Sequence, residues 1–248
     1  EPPPPGKWRS QHFTRVRLLS HLRARDHKVD KAAERAAACV VFLDSVVGQA
    51  RAFELATAEM SRLCDKHVHL GLFGKDRRGA AVLYCRMAQH DLSGLVKRTS
   101  FEFYISYDWY QTLLFQDALY AESERAGVGF MGRTCVLDLR NLSLRAVKGI
   151  LELGLRQMAQ WPDKQHPLPE SLSQMFCCNV PWAAAQFWNT AKSFFPAQDV
   201  ARVHLFKAGD PTFMAELLKH VAIEEVPPSF GGTSVEPWDF GSDVSSTC

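Results

Sequence analysis

Long hydrophobic runs are missing from this 248-residue sequence. No apolar stretch reaches the ~20 residues needed to cross a bilayer, and none follows the signal-peptide pattern. Charge of one sign is missing as well. The 29 Lys and Arg stand against 27 Asp and Glu, a net charge of +2, so no global field drives the chain onto nucleic acid, and any basic function must come from local clustering. The 7 cysteines are odd in number and no pair is spaced as CxxC, which argues against a disulfide framework or a zinc site and for reduced, mostly buried thiols inside the cell. The motifs G-x-S-x-G, HExxH and the P-loop are absent too. Cys177 and Cys178 are adjacent in an apolar strand and point to opposite faces, which argues against a thiol nucleophile. No enzymatic activity and no cofactor or metal are therefore expected, and His67 and His69, on an expected loop, carry no supporting ligand pattern.

What is present is apolar material. A hydrophobic content of 46% suffices for one large domain, or a large domain with a small helical lobe. Pro2 to Pro5 form a stiff leader. From Gln11 the apolar positions Phe13, Val16, Leu18, Leu19 and Leu22, then Val29 to Leu43, predict at least two packed helices, with a third over Ala50 to Cys64. Leu70 to Gly79, rich in glycine and charge, reads as a hinge. Beyond it, strands at Ala81–Met87, Thr134–Leu139, Met175–Val180 and Val203–Phe206 alternate with helices at Phe101–Ser123, Leu144–Gln160, Trp182–Ser193 and Thr212–His220. Such alternation predicts an α/β fold with crossover helices. The expected division is a leader and helical lobe over 1–69, an α/β domain over 70–232 and an extended tail over 233–248. The chain begins at Glu1 rather than Met, as expected for a domain within a longer protein.

Three features invite a functional reading. Arg17, His21, Arg25 and Lys28 fall near one helical face, a solvated face or a short phosphate-facing stripe. Glu170 and Arg202 each precede a predicted strand, where neighbouring strands can pair a carboxylate with a guanidinium that suits carboxylate or phosphate. In the helix from Trp182 to Phe195, Ala184, Phe187, Trp188, Ala191 and Phe195 follow helical spacing, as a core helix or an interface-inserting one would.

The order of Pro169-Glu170, the strand ending in Asn179-Val180-Pro181, the aromatic helix, the strand near Arg202 and Val226-Pro227-Pro228-Ser229-Phe230-Gly231-Gly232 resembles the lipid-binding domain of the CRAL-TRIO family. The resemblance runs from about Arg15 to Gly232. It implies a small N-terminal helical lobe followed by a lobe whose mostly parallel or mixed sheet floors a hydrophobic lipid pocket, with the helix at Trp182 as a gate. Trp182, Phe187, Trp188 and Phe195 would then belong to gate and pocket.

In family members that bind phosphatidylinositol, a Tyr-Pro-Glu-Arg motif and a later Val-x-Lys-Ile motif contact the headgroup. Here Leu168-Pro169-Glu170-Ser171 and Val200-Ala201-Arg202-Val203 stand in their places, with Arg for Lys. A Leu-Arg-Ala-Arg-Lys element is similar to Leu22-Arg23-Ala24-Arg25-Asp26, in which Arg25 matches a phosphate-contacting residue. The resemblance thus implies Arg25, Glu170 and Arg202 at the headgroup. Arg133 and Cys135 stand where the family reads phosphatidylcholine with hydroxyl residues, so that lipid is not expected. The partners implied are a phospholipid, phosphatidylinositol first, a transient membrane surface and other domains of a longer chain, with no nucleic acid; the location implied is cytoplasmic, peripheral to membranes. The alternatives are a carrier of an apolar ligand (retinoid, tocopherol or sterol) and a lipid-sensing regulatory domain.

Overall fold

A computed structural model describes residues 14–54, 58–159, 171–194 and 197–236; side chains at 43–54, at 58–61 and at some helix positions, Phe187 among them, lie outside the description. The described elements run α1 (Arg15–Arg23), α2 (Val29–Glu54), α3 (Ala58–His67), β1 (Leu70–Lys75), β2 (Ala81–Arg86), a 3₁₀ turn (Met87–Gln89), α4 (Leu92–Arg98), α5 (Phe101–Arg125), β3 (Arg133–Asp138) and α6 (Leu144–Met158). They continue with β4 (Leu172–Cys178), α7 (Trp182–Ala191), α8 (Ala197–Val200), β5 (Val203–Leu205) and α9 (Thr212–Leu217). Two compact units emerge. The first holds Glu1–Leu55, Ile105–Met131 and Gly154–Ser171, the second Ala56–Tyr104, Gly132–Leu153 and Leu172–Cys248.

The first unit is helical. Along α5, Ile105, Trp109, Leu113, Gln116, Tyr120 and Ser123 are buried, a spacing of three and four that makes one continuous face. Phe42 of α2 meets Trp109 edge-on, ring centroids 5.0 Å apart. Arg17 of α1 donates to Asp117 of α5 at 2.6 Å and stacks over Tyr120 at 4.4 Å; Tyr120 also shares a hydrogen bond with Ser20. His21 is buried. The stripe of Arg17, His21, Arg25 and Lys28 is therefore no common surface face, because α5 offers a carboxylate and an aromatic ring that draw Arg17 inward.

The second unit is built on one five-stranded sheet in the order β1-β2-β3-β4-β5. β1 and β2 are antiparallel, and β2, β3, β4 and β5 run parallel. The sheet is thus mixed, as the family resemblance implies. The segment read as a hinge is instead β1. Its glycine answers a specific need: Gly74 takes φ +56 at the β-bulge, and a Cβ there would stand 2.2 Å from the Glu225 carbonyl oxygen.

One face of the sheet carries Val82, Tyr84, Val136, Phe176, Cys178 and, just past β5, Phe206, which pack against Leu217, Val221, Val226 and Phe230 of the C-terminal segment. Tyr84 and Phe230 lie 5.0 Å apart, centroid to centroid. At the start of the strands, the buried Asp76 carboxylate accepts from Arg78 Nη2 at 2.6 Å, Ala80 N at 3.1 Å and Thr134 Oγ1 at 3.0 Å. Arg78 continues to Gly132 O and Ser173 Oγ, both at 2.8 Å, which ties the β1–β2 hairpin to the leading ends of β3 and β4.

Candidate functional site

The opposite face of the same sheet differs in character. Strand alternation places Leu83, Cys85, Cys135, Leu137, Met175, Cys177, Val203 and Leu205 there. Its cysteines are buried, whereas Leu83, Leu137, Met175, Val203 and Leu205 keep part of their surface accessible. Apolar strand residues that are left half-accessible on one face, beside a fully packed face, make a floor on which an apolar ligand can lie.

The residues named from the sequence fall as follows. Arg202 is the last residue before β5; its carbonyl accepts from Met175 N at 2.8 Å, and its Nη1 donates to the Leu172 carbonyl at 3.4 Å. The guanidinium is thus held at the first residue of β4. Glu170 lies outside the described residues, as does Phe195. Arg25 follows α1, with Nη1 on the Ala24 carbonyl at 3.0 Å, and Asp26 and His27 after it turn left-handed at φ 50 and 60. Arg25 belongs to the first unit and Arg202 to the second. Trp182 opens α7 and is 78% exposed. Trp188 is half-buried, and the Phe187 side chain lies outside the description.

Residues 65–232, more than half of the chain, match the model of the CRAL/TRIO domain. The chain belongs to the CRAL/TRIO domain family. It is 24% identical over 166 residues to the Arabidopsis thaliana phosphatidylinositol/phosphatidylcholine transfer protein SFH4, which covers 66% of this chain and 26% of that one. It is also 26% identical over 170 residues to SFH12 of the same plant, a protein of the same description, covering 68% and 30%. The chain thus spans between a quarter and a third of the length of these curated relatives. The crystal structure of Sfh5 superposes with a TM-score of 0.53 at 14% identity, over 94% of this chain and 77% of that one, a likeness of fold.

Within this CRAL/TRIO domain the sequence reading did not foresee two hollows. Two surface hollows, of ≈ 250 and ≈ 510 Å³, open at the C-terminal ends of the parallel strands and share Asp138, Arg140 and Ser229. Asp138 is held by Asn179 Nδ2 and Arg140 N, both at 2.9 Å, so it orders the loops there. Arg133, at a position the family uses for phosphatidylcholine, is buried and donates to the Ala81 carbonyl at 2.7 Å. Burial pushes the Cys177 and Cys178 thiols up to about 12, which keeps both protonated at neutral pH, unlike activated nucleophiles. Burial likewise raises the Cys85 thiol, and it lowers the His90 imidazole to about 4 against a hydrogen bond at His69. Among the described residues, no group of three or more His, Cys, Asp or Glu is placed to hold a metal ion.

Proposed function

We propose that this chain binds one phosphatidylinositol molecule, its acyl chains against the half-accessible apolar face of the sheet, and exchanges or presents it at membranes. Membership of the CRAL/TRIO family carries the reading. The names of the relatives, phosphatidylinositol/phosphatidylcholine transfer proteins, favour this lipid class, and the buried, backbone-bound Arg133 favours phosphatidylinositol over phosphatidylcholine. Each CH₂ removed from water is worth roughly 0.8 kcal/mol, so one acyl chain can contribute on the order of 10 kcal/mol. A bilayer offers the same apolar contact, so headgroup contacts decide which lipid is kept. Arg202 is the first of these, with a planar fork suited to an inositol phosphate. Trp182, with Phe187, Trp188 and Phe195, forms the gate, and the exposed Trp182 ring meets the membrane interface. No described helix is long and apolar enough to cross a membrane.

The test is transfer of labelled phosphatidylinositol between vesicles. Arg202→Ala should cut it at least tenfold while leaving the fold intact by circular dichroism. Unchanged transfer would remove Arg202 from the headgroup and favour the carrier of an apolar ligand, in which Arg202 serves only to hold the Leu172 carbonyl.

A further inference from the structure

At the trailing end of β2, a thioether and an imidazole lie against the Cys85 thiol. Cys85 Sγ lies 3.3 Å from Met87 Sδ and 3.1 Å from His90 Nε2. The local fold explains the meeting. Met87 begins the 3₁₀ turn and His90 caps it, its N–H on the Met87 carbonyl, and residues three apart on a 3₁₀ turn eclipse one another. Cys85, the last residue but one of β2, points to the same side. The sequence Cys85-Arg86-Met87-Ala88-Gln89-His90 thereby gathers a thiol, a thioether and an imidazole within one turn, although it contains no CxxC or HxxxH spacing.

The geometry points to a binding site for a single monovalent soft metal ion, copper(I), held by Cys85 Sγ, Met87 Sδ and His90 Nε2. Three arguments select the ion. Thiolate and thioether donors prefer copper(I) to magnesium, calcium or manganese, and the set lacks the further Cys or His of a structural zinc site. Cys85 is 4% exposed, and one thiolate with one monovalent cation makes a neutral pair, the charge state a buried site tolerates; a divalent ion would leave an uncompensated positive charge. Finally, metal bonds of about 2.0 Å to nitrogen and about 2.3 Å to sulfur in a trigonal plane set sulfur and nitrogen about 3.7 Å apart and the two sulfurs about 4.0 Å apart, so the Cys85–His90 and Cys85–Met87 pairs have to open by about 0.6 and about 0.7 Å from their 3.1 and 3.3 Å. The exchange is balanced: the Cys85 S–H bond breaks, its proton leaves to water, and copper(I) takes the place between sulfur and Nε2. That requires the His90 tautomer with its proton on Nδ1 and releases the 3.2 Å contact of Nε2 with the His69 carbonyl. Nothing in this assignment depends on the lipid reading.

The test uses the full chain, reduced and anaerobic, titrated with copper(I) supplied as its bicinchoninate complex. Expected are one ion bound per chain, one proton released per ion, and X-ray absorption with two sulfur and one nitrogen neighbours. Cys85→Ser should abolish binding, Met87→Leu should weaken it at least tenfold, and Cys39→Ser, a buried thiol of the other unit, should leave it unchanged. A tenfold excess of zinc should not displace the copper. Copper retained in full by Cys85→Ser, or an unchanged affinity in Met87→Leu, would overturn the assignment. Met87→Leu conserves side-chain volume and decides the question if Cys85→Ser fails to fold.

Discussion

Asp108, on the helical unit's long helix α5, is held in an environment that disfavours its charge. Burial raises its carboxyl to about 6 against the opposing hydrogen bond from Gln157. A carboxyl whose folded pKa lies above its unfolded value costs stability wherever it is ionised. The cost is present at pH 7 and disappears as pH falls through about 6 toward 4. Asp108→Asn should therefore stabilise the protein at pH 7 by on the order of 1–2 kcal/mol, discounting for the part of Asp108 that still meets water, and should have little effect at pH 4.5. Thermal melts at the two pH values check this, and an equal shift at both would contradict the assignment. Asp76 is buried with hydrogen-bond donors on every side. Asp76→Ala leaves Arg78, Thr134 and two backbone amides without it, and should cost about 3 kcal/mol in a denaturant titration. Neither role was legible from sequence, because both depend on partners from elsewhere in the chain: Gln157 lies on another helix, and Thr134 is 58 residues from Asp76.

Elements were legible where periodicity was long. Helix α5 and strands β2, β3 and β4 fall within about three residues of where alternation and helical spacing place them. β1 was not legible, because Gly71 and Gly74 interrupt its apolar residues; the glycine at 74 belongs there because a bulge and a close carbonyl demand it. The seven-residue α4 was missed for want of length, although its cap can be found by eye, with Asp91 accepting from Gly94 N at 2.8 Å. The C-terminal Phe230-Gly231-Gly232 turn is the reverse case, a motif visible in sequence whose reason is structural. Gly231 is left-handed at φ +92, and a Cβ on Gly232 would stand 2.0 Å from the Val226 carbonyl oxygen. This turn seats Phe230 on Tyr84. Gly232→Ala must push that backbone apart and should cost roughly 2–4 kcal/mol, read as a lowered denaturation midpoint. A midpoint unchanged from the parent would mean that the C-terminal segment is not part of the cooperative core.

At the scale of the whole molecule, the CRAL/TRIO assignment rests on the order of short motifs, on a family match over residues 65–232 and on a mixed sheet with one packed and one half-accessible face. The order of motifs was legible because each motif is local. The difference between the two faces was not, since Leu83, Met175 and Val203 look in sequence like any core strand residue. The first unit's basic helix was half legible, its charges visible and the inward turn of Arg17 not. The reading as a whole says that the accessible face holds a lipid chosen by its headgroup. Mass spectrometry of the lipid recovered from the protein after incubation with mixed-lipid vesicles tests this directly. Phosphatidylinositol enriched well above its share of the vesicles is the predicted result, whereas a neutral lipid alone, or no lipid at all, would contradict it.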